Sequence, residues 1–293
     1  MNWPQAAVLE KLGERFGRVE LQRMTSVGGG DINLAARLDT TAGTFFVKWN
    51  ERPLPRLFSA EAEGLAALAA ARSSLTVPEV IGWADPTPEA PGFLVMPFLT
   101  EGPQSANFDE ALGQGLAEVH AHTADRFGFD EDNYIGTTPQ PNARTERWIP
   151  FYRAHRLQHQ VRLARNHGRI SMADAQACDR LMQRLDRWLV EGPAALLHGD
   201  LWAGNVHGDG GHPALIDPAA YYGHPEAELG MMTLFGGFRP KTYHAYAEAS
   251  GLDPDWQQRQ PLYQLYHLLN HANLFGGGYA AQSMAIVRRF AGD

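Results

Sequence analysis

The stretch LLHGDLWAGNV (residues 196–206), followed by ALIDPA (214–219), joins two short apolar runs to a polar loop. Asp200 and Asn205 are five residues apart, and Asp217 comes twelve residues later. Phosphoryl transfer needs a carboxylate that orients a hydroxyl and accepts its proton, and oxygen ligands that hold Mg²⁺ on the phosphates. Asp200 by itself, with an Asn five residues on, would suit a loop whose side chains bond local backbone. The second apolar run, which would present Asp217 at a strand end, makes the combination favour a phosphotransfer site.

A glycine-rich turn and a lysine upstream fit the same chemistry. GGGDIN (residues 28–33) lies between two strand-like runs, where backbone N–H groups can approach phosphates. It lacks the spacing of a Walker loop, and a plain hairpin turn would also explain it. Lys48 ends the apolar run FFVK and precedes a predicted helix that carries Glu61 and Glu63. These two acids lie about 200° apart around a helix axis, so only one can face the lysine, and we choose Glu61.

The remaining pattern predicts an α+β protein of two lobes. Residues 1–96 read as a small antiparallel sheet with one main helix, predicted over 59–72 with Ser59 as its N-cap. Residues 97–101 form a linker, and residues 102–293 read as a larger, mostly helical lobe. Helices in that lobe are predicted over residues 107–121, 144–168, 171–191, 242–249 and 261–275.

Composition limits the possible partners and location. Lys plus Arg number 25 and Asp plus Glu 33, so the formal net charge is −8. A chain of this charge repels polyanions, so nucleic acid and anionic membranes are poor partners. No apolar run is long enough to span a membrane, and the N-terminus does not resemble a signal peptide. The single cysteine, Cys178, cannot form an internal disulfide, and we expect a cytoplasmic monomer.

These motifs, taken together, resemble the fructosamine kinase (ketosamine-3-kinase) family, and the resemblance spans nearly the whole chain. That family is similar in fold to aminoglycoside kinases, choline kinases and protein kinases. The Trp of HGDLWAGN and the last two segments below are more specific than HGD-x-x-x-x-N, which many small-molecule kinases share. The segments are GGGDIN (28–33), FFVKWN (45–50), FSAEAEGLAAL (58–68), VPEVIG (77–82), HGDLWAGN (198–205), IDPAAYYGHPEAELGMMTLFGGF (216–238) and LYQLYHLLNHANLFGGGY (262–279).

The resemblance implies a protein-kinase-like fold, with ATP and Mg²⁺ as cofactors. Asp200 would be the catalytic base, and Asn205 and Asp217 would be the Mg²⁺ ligands. Lys48 would pair with Glu61 and touch the ATP phosphates. The adenine would bind the hinge, where proline lacks an N–H, so the donor must be one of the two residues after it. The implied ATP-binding residues are Gly28, Gly29, Gly30, Asp31, Ile32, Lys48, Glu61, Pro97, Phe98 and Leu99.

The resemblance also implies an acceptor side. Trp202 would lie beside the sugar, and we assign His198 and Glu226 to the same group, with Glu228 as another acid that could bind a substrate amine. His198 also suits a scaffold role in which its ring bonds loop backbone, and acids at 226 and 228 also suit a helix N-terminus. Some family members carry a redox-active cysteine in the glycine-rich loop. The aligned position is Asp31 here, so we expect that switch to be absent.

Four functions remain open from the sequence. The first is an ATP-dependent kinase for ketosamines of the fructosamine or ribulosamine type, with a role in deglycation or amino-sugar metabolism. The second is the same reaction on another small alcohol, such as an aminoglycoside, an amino sugar or a choline-like acceptor. The third is nucleotide binding without turnover, and the fourth is metal-dependent hydrolysis. The full set of Lys48, a Glu, Asp200, Asn205 and Asp217 argues against the third, and the histidine spacings argue against the fourth.

Overall fold

An antiparallel sheet forms the N-terminal part of the computed structural model, which describes residues 3–28, 33–52, 54–100 and 102–291. Among the strands described there, five pair in the order β1-β2-β3-β5-β4. A two-residue turn joins β2 to β3, as their register shows by pairing the residues on either side of it. The strands are β1 (Leu21–Val27), β2 (Leu34–Thr40), β3 (Gly43–Asn50), β4 (Gly82–Ala84) and β5 (Gly92–Pro97).

Helices cover both faces of this sheet. Alternate residues of a strand point to opposite faces, so β3 directs Phe45, Val47 and Trp49 into one cluster, where α1 (Gln5–Phe16) packs. The residues between them face the other way, where α2 (Leu57–Ala70) packs. Lys48 belongs to that second set, so the strand's alternation turns it toward α2.

Helix α2 begins two residues before its predicted start, and the predicted N-cap is wrong. Ser59 lies inside the first turn, where it is buried. The backbone N–H groups of Phe58 and Ser59 instead donate to Oδ1 of Asp85, at 2.8 and 2.9 Å. The acceptor that the first turn requires therefore comes from a separate segment of the chain.

Helices dominate the rest of the chain, and the α+β class with a small antiparallel sheet is confirmed. Short strand pairs lie between them: β6 (Thr123–Ala124), β7 (Asn133–Ile135), β8 (Thr138–Gln140), β9 (Ala194–Leu197), β10 (Val206–Asp209), β11 (His212–Leu215) and β12 (Tyr221–Gly223). The helices are α3 (Phe108–Ala121), α4 (Trp148–Phe151), α5 (His159–Asn166), α6 (Met172–Met182), α7 (Pro225–Leu234), α8 (Pro240–Ser250), α9 (Trp256–Phe275) and α10 (Tyr279–Ala291).

Several helix boundaries differ from the prediction. A π-helical segment, Tyr152–Gln158, joins α4 to α5, and the helix predicted to run to residue 191 ends at Met182. Helix α9 starts five residues earlier than predicted and contains Pro261. Helices α7 and α10 were not predicted, because their apolar residues lie in glycine-rich or mixed segments without a clear period.

Backbone contacts join the N-terminal part to the β10–β11 hairpin. Thr76 N–H donates to the carbonyl oxygen of Pro213 at 3.0 Å, and Leu215 N–H donates to that of Thr76 at 2.9 Å. Beyond the sheet, Thr100 N–H donates to Oδ1 of Asp209 at 2.9 Å. The carbonyl oxygen of Thr100 accepts from Gly210 N–H at 2.9 Å. The hairpin is thus held at two separate points.

None of the helices in the described ranges is both long enough and apolar enough to cross a membrane.

Candidate active site

The loop after β9 carries the predicted catalytic residue. His198, its first residue, is fully buried. The ring Nδ1 accepts the N–H of Asp200 at 3.3 Å, and Nε2 lies 2.8 Å from the carbonyl oxygen of Ile216. Because Nδ1 accepts, Nε2 carries the proton and donates. Burial lowers the pKa of His198, so a neutral ring joins the loop to the residue just before Asp217.

Gly199 lies where the loop crosses the segment after Asp217. Its φ is +83°, in the left-handed region that glycine tolerates. A Cβ at this position would lie 2.1 Å from the carbonyl oxygen of Ala219. The N–H of Ala219 also donates to the carbonyl oxygen of His198 at 2.9 Å. Glycine is therefore required for the two segments to touch.

Asp200 and Asn205 are joined within the loop. Nδ2 of Asn205 donates to the backbone carbonyl oxygen of Asp200 at 2.8 Å, which leaves the amide oxygen of Asn205 available to a ligand. Burial, with help from the charges of Asp217 and Glu228, raises the pKa of Asp200 to about 7. Its carboxylate is accordingly a stronger base than an ordinary aspartate.

Glu228, on α7, accepts hydrogen bonds from the backbone of this loop. The side chain is fully buried, and its oxygens accept the N–H groups of His198 at 2.5 Å and Gly199 at 3.1 Å. Nε2 of His120 lies 3.8 Å from the same carboxylate. A buried carboxylate needs such donors, and here two of them belong to the loop that positions Asp200.

Lys48 connects the sheet, α2 and the end of β11. Its Nζ lies 2.5 Å from Oε1 of Glu61 and 2.7 Å from Oδ1 of Asp217. Glu63, the alternative partner, instead pairs with Arg56 at 2.7 Å. Asp217 has a φ of +55°, and 45 % of its side chain is exposed. The ion pair chosen from the sequence is present, and it reaches the aspartate predicted to bind metal.

The three charges of this group affect one another. Burial alone would lower the pKa of Lys48, but Asp217 and Glu61 raise it above its ordinary value, so the ammonium stays charged. Burial opposes the ionisation of Asp217, but Lys48 outweighs it and lowers the pKa of that carboxyl. Burial raises the pKa of Glu61 to about 7 in spite of Lys48. Asp217 is therefore the more readily ionised of the two carboxyls.

The structure describes only some of the residues that are predicted to bind the nucleotide. Gly29, Gly30, Asp31 and Ile32 lie outside the described residues, and Gly28 is exposed at the end of β1. In the linker, the N–H of Phe98 donates to the carbonyl oxygen of Thr44 at 3.1 Å. Of the two donors considered for adenine, that bond leaves Leu99. Pro97 is exposed at the end of β5.

Trp202 lies at the surface of the same loop, with 39 % of the residue exposed. The backbone N–H of Trp202 donates to the backbone carbonyl oxygen of Asp200 at 3.1 Å. The indole packs over Gly204, where a Cβ would lie 2.2 Å from the ring. The small residue thus leaves room for the large ring, which stays partly exposed to solvent.

Comparison with known proteins identifies the family. The sequence profile described as fructosamine kinase matches residues 4–292. The chain belongs to the fructosamine kinase family. It is therefore an ATP-dependent phosphotransferase.

Two relatives illustrate the match to this family. The chain is 41 % identical over 275 residues to the chloroplastic protein-ribulosamine 3-kinase of Arabidopsis thaliana, covering 92 % of this chain and 82 % of that protein. It is 38 % identical over 273 residues to the probable ketoamine kinase YniA of Escherichia coli (strain K12), covering 92 % and 93 %.

Solved structures confirm the fold. A crystal structure of a fructosamine-3-kinase candidate from Thermobifida fusca matches with a TM-score of 0.86 and 34 % identity, covering 97 % of this chain and 98 % of that one. Aminoglycoside phosphotransferase APH(4)-Ia matches with a TM-score of 0.59 and 17 % identity, covering 99 % of both chains, and shows the fold alone. The bilobal, protein-kinase-like fold predicted from the sequence is confirmed.

Two residues assigned to the acceptor side of this fructosamine kinase are engaged elsewhere. Glu226 is buried, and both of its oxygens accept from Arg259 at 2.7 Å. Arg259 also binds Asp253 at 2.8 Å, so Glu226 tightens the contact between α7 and α9. His198 is a scaffold residue, since both ring nitrogens bond loop backbone. His198 and Glu226 are thus bonded within the protein, as is Glu228, and their assignment to the substrate stays a prediction.

Sequence reasoning missed two residues that position the site. Asp85 caps the helix that carries Glu61, and Asp209 holds the end of the linker through Thr100. Asp85 precedes a proline in a predicted loop, where nothing in the sequence indicates a distant helix end. The HPEAELG segment did contain a signal for Glu228, because an acid in an otherwise apolar helix implies a buried partner.

The donor groups present fit a magnesium ion. Mg²⁺ prefers hard oxygen ligands and keeps waters and phosphates in its shell. The amide oxygen of Asn205 and the free oxygen of Asp217 are ligands of this type, on either side of the β10–β11 hairpin. Within the part of the chain that is described, no group of three or more His, Cys, Asp or Glu could hold a metal. Two protein ligands completed by phosphate oxygens therefore suit this site better than a protein-only cage.

Proposed function

We propose that this chain transfers the γ-phosphoryl group of ATP to a sugar hydroxyl of a ketosamine, a sugar joined to an amine next to its keto carbon. The observation that carries the proposal is the assembly of Asp200, Asn205, Asp217 and the Lys48–Glu61 ion pair at one place. The names of the relatives, ribulosamine 3-kinase and ketoamine kinase, support a ketosamine acceptor with the hydroxyl on carbon 3.

In the proposed reaction, Asp200 accepts the proton of the acceptor hydroxyl. A bond forms between that oxygen and the γ-phosphorus, and the bond from the γ-phosphorus to the bridging oxygen of the β-phosphate breaks. ADP leaves, and the proton stays on Asp200 until solvent takes it. Most of the acceleration in such a transfer comes from positioning and charge stabilisation, so the backbone bonds that hold the 198–200 loop serve catalysis directly.

The nucleotide would lie between the sheet and the hairpin. Pro97 C=O and Leu99 N–H are the proposed adenine partners, and Lys48 the proposed phosphate partner. The turn 28–33 would cover the phosphates. Asn205 and Asp217 would hold Mg²⁺, which neutralises phosphate charge when bound. We further propose that the lobes divide at residues 97–101, with 1–96 and 102–293 on either side, and that the chain acts as a monomer.

The test is release of ADP from Mg·ATP with a panel of acceptors: fructosamines, ribulosamines, aminoglycosides and choline. We expect ketosamine-dependent release that needs Mg²⁺. Release with an aminoglycoside or choline alone would replace the acceptor class while keeping the reaction. If no acceptor in the panel stimulated release, kinase activity toward these alcohols would be excluded.

Asp200→Asn tests the assignment of the base. We expect turnover to fall by about 10²- to 10⁴-fold, while ATP binding, measured by fluorescence or calorimetry, stays near wild type. Asp186→Asn, at an exposed position in the short 3-10 helix Leu185–Arg187, is the matched control. A near-normal rate in Asp200→Asn would mean that another group accepts the proton.

A further inference from the structure

Four ring-bearing side chains form a partly exposed surface where α7 and α9 end and α10 begins. Phe235 and Phe275 are 43 % and 53 % exposed, which is unusual for large apolar rings. The His271 ring lies between them, with centroid distances of 4.9 Å to Phe235 and 5.6 Å to Phe275. Tyr279 completes the group at 5.2 Å from His271. We name Phe235, His271, Phe275 and Tyr279 the aromatic patch.

The aromatic patch adjoins the catalytic loop. A Cβ on Gly237, two residues after Phe235, would lie 2.5 Å from the Cβ of Ala203. Ala203 follows Trp202 directly, so the chain that leaves the patch packs on the loop that carries the exposed indole. The short segment from Phe235 to Gly237 therefore links the aromatic patch to the loop that carries Asp200 and Trp202.

A ketosamine bound with its sugar at Asp200 must place its nitrogen nearby. The acids that could have received a cationic nitrogen, Glu226 and Glu228, are buried and bonded to Arg259 and to loop backbone. Neither acid is therefore free to receive the nitrogen or the group attached to it.

We propose that the aromatic patch, together with Trp202, binds the apolar or aromatic substituent that the nitrogen of the acceptor carries. This inference rests on the proposed function and adds to it which end of the substrate the enzyme selects.

The chemistry of the patch suits this occupant. Aromatic faces bury apolar groups and pack favourably against other rings. Nδ1 of His271 bonds the carbonyl oxygen of His267 at 2.8 Å and so donates its proton, which leaves Nε2 as an acceptor. Burial lowers the pKa of His271, so its ring is neutral and does not repel the ammonium. Only the substituent distinguishes one fructosamine from another, so the patch would set specificity among them.

The test compares two fructosamines that share the sugar and differ in the group on nitrogen, methyl in one and benzyl in the other. Phe235→Ala and Phe275→Ala are the test variants. Phe16→Ala, on α1, removes a ring that is equally exposed at 43 % but belongs to the sheet's far side, and is the matched control. Thermal melting of each variant first confirms that it is folded.

We expect each test variant to lose about 5- to 10-fold in kcat/KM for the benzyl acceptor and less than twofold for the methyl acceptor, with Phe16→Ala changing neither. Equal losses on both acceptors, or no loss on either, would overturn the role of the patch and leave the kinase proposal standing. Failure of the wild-type protein to phosphorylate either fructosamine would instead overturn the proposed function, and this inference with it.

Discussion

Gly199 shows how one residue without a side chain fixes the site. Two constraints meet there, a left-handed φ of +83° and a carbonyl oxygen 2.1 Å from where a Cβ would be. Gly210 shares the first constraint, with a φ of +56°, but has open space around its Cβ position. Comparing substitutions at Gly199 and Gly210 therefore separates the effect of a left-handed φ from the effect of crowding around an added Cβ.

We predict that Gly199→Ala displaces the loop from Ala219 and lowers kcat by at least about 10²-fold, because misplacement near 1 Å is enough for such a loss. Gly210→Ala should cost about 1 kcal/mol of stability and leave kcat near wild type. Steady-state kinetics with thermal melting of both variants would check this. Equal effects of the two substitutions would show that strain alone, not the contact with Ala219, matters.

The buried carboxyl of Asp200 should lower the stability of the folded protein although the proposed reaction needs it as a base. Burial and neighbouring carboxylates raise its pKa to about 7 in the folded protein, above the ordinary value near 4. A carboxyl whose pKa is raised by folding binds its proton more tightly in the folded state, so its cost to stability grows as the pH rises from about 4 to about 7 and is complete above pH 7.

We predict that Asp200→Asn, although inactive, melts a few degrees higher than wild type at pH 8, and that the difference shrinks toward pH 5. Thermal melting across that range would show it, with Asp186→Asn as the control that shifts little. A lower melting temperature for Asp200→Asn at pH 8 would indicate that the carboxylate is stabilised by contacts that asparagine cannot make.

At the scale of single residues, the sequence was sufficient to predict those features of the site that depend on local spacing. Asp200, Asn205 and Asp217 fall within one short stretch, and the alternation of β3 directs Lys48 toward α2. Glu226 could not be assigned, because its partner Arg259 lies 33 residues away. A buried acid and a substrate-binding acid look the same in sequence.

Helix α2 depends on a cap from outside its own chain segment. Asp85 accepts from Phe58 and Ser59 and so fixes the turn that precedes Glu61. Further along the helix, a Cβ on Gly64 would lie 3.2 Å from Pro218, just after Asp217. Asp85 thus fixes the start of helix α2, and Gly64 packs closely against Pro218, which follows the predicted metal ligand Asp217. Glu61 lies in the helix between these two contacts.

We predict that Asp85→Ala lowers stability by about 1 kcal/mol and lowers kcat several-fold, because the first turn of α2 frays and Glu61 leaves Lys48. Asp85→Asn keeps an oxygen acceptor and should retain most of both. Urea unfolding and ADP release would measure the two effects. A full loss of activity in Asp85→Asn would show that the charge, rather than the cap, is what matters.

The missed start of α2 has a general cause. Capping rules apply to residues adjacent to the helix, and Ser59 satisfied them locally. A cap supplied by Asp85, 26 residues after Ser59, depends on how strands bring separate segments together. The π-helical segment Tyr152–Gln158 was beyond prediction for a related reason: its wide turns are set by packing around the fully buried Arg156.

At the scale of the whole molecule, buried histidines and buried carboxyls have opposite effects on the stability of the fold as the pH falls. Burial lowers the pKa of His267 to about 3 and that of His224 to about 4, so folding excludes their protons. Burial raises the pKa of Asp200 and Glu61 to about 7, so folding takes up protons there. As the pH falls from 7, the histidines destabilise the fold and the carboxyls stabilise it.

We predict that His267→Gln removes one of the destabilising groups. Protonation of the unfolded imidazole below about pH 6.5 costs up to about 1.4 kcal/mol per pH unit, and the variant escapes that cost. Its unfolding free energy relative to wild type should therefore rise between pH 7.5 and pH 5, measured by urea denaturation. The exposed His244→Gln should track wild type. A constant difference across this range would show that His267 binds its proton in the fold, despite the nearby His271 and Arg156.

The hairpin β10–β11 has a mechanical consequence. It is bonded to Thr76 along one strand and to Thr100 at its turn, and Asn205 and Asp217 flank its open end, where Val206 pairs with Leu215. These hydrogen bonds attach the hairpin to the chain both before and after strands β4 and β5. A hinge movement of the sheet relative to the helices would therefore also displace the hairpin and the two predicted metal ligands beside it. We expect opening of the site to weaken the binding of Mg²⁺ and of ADP together.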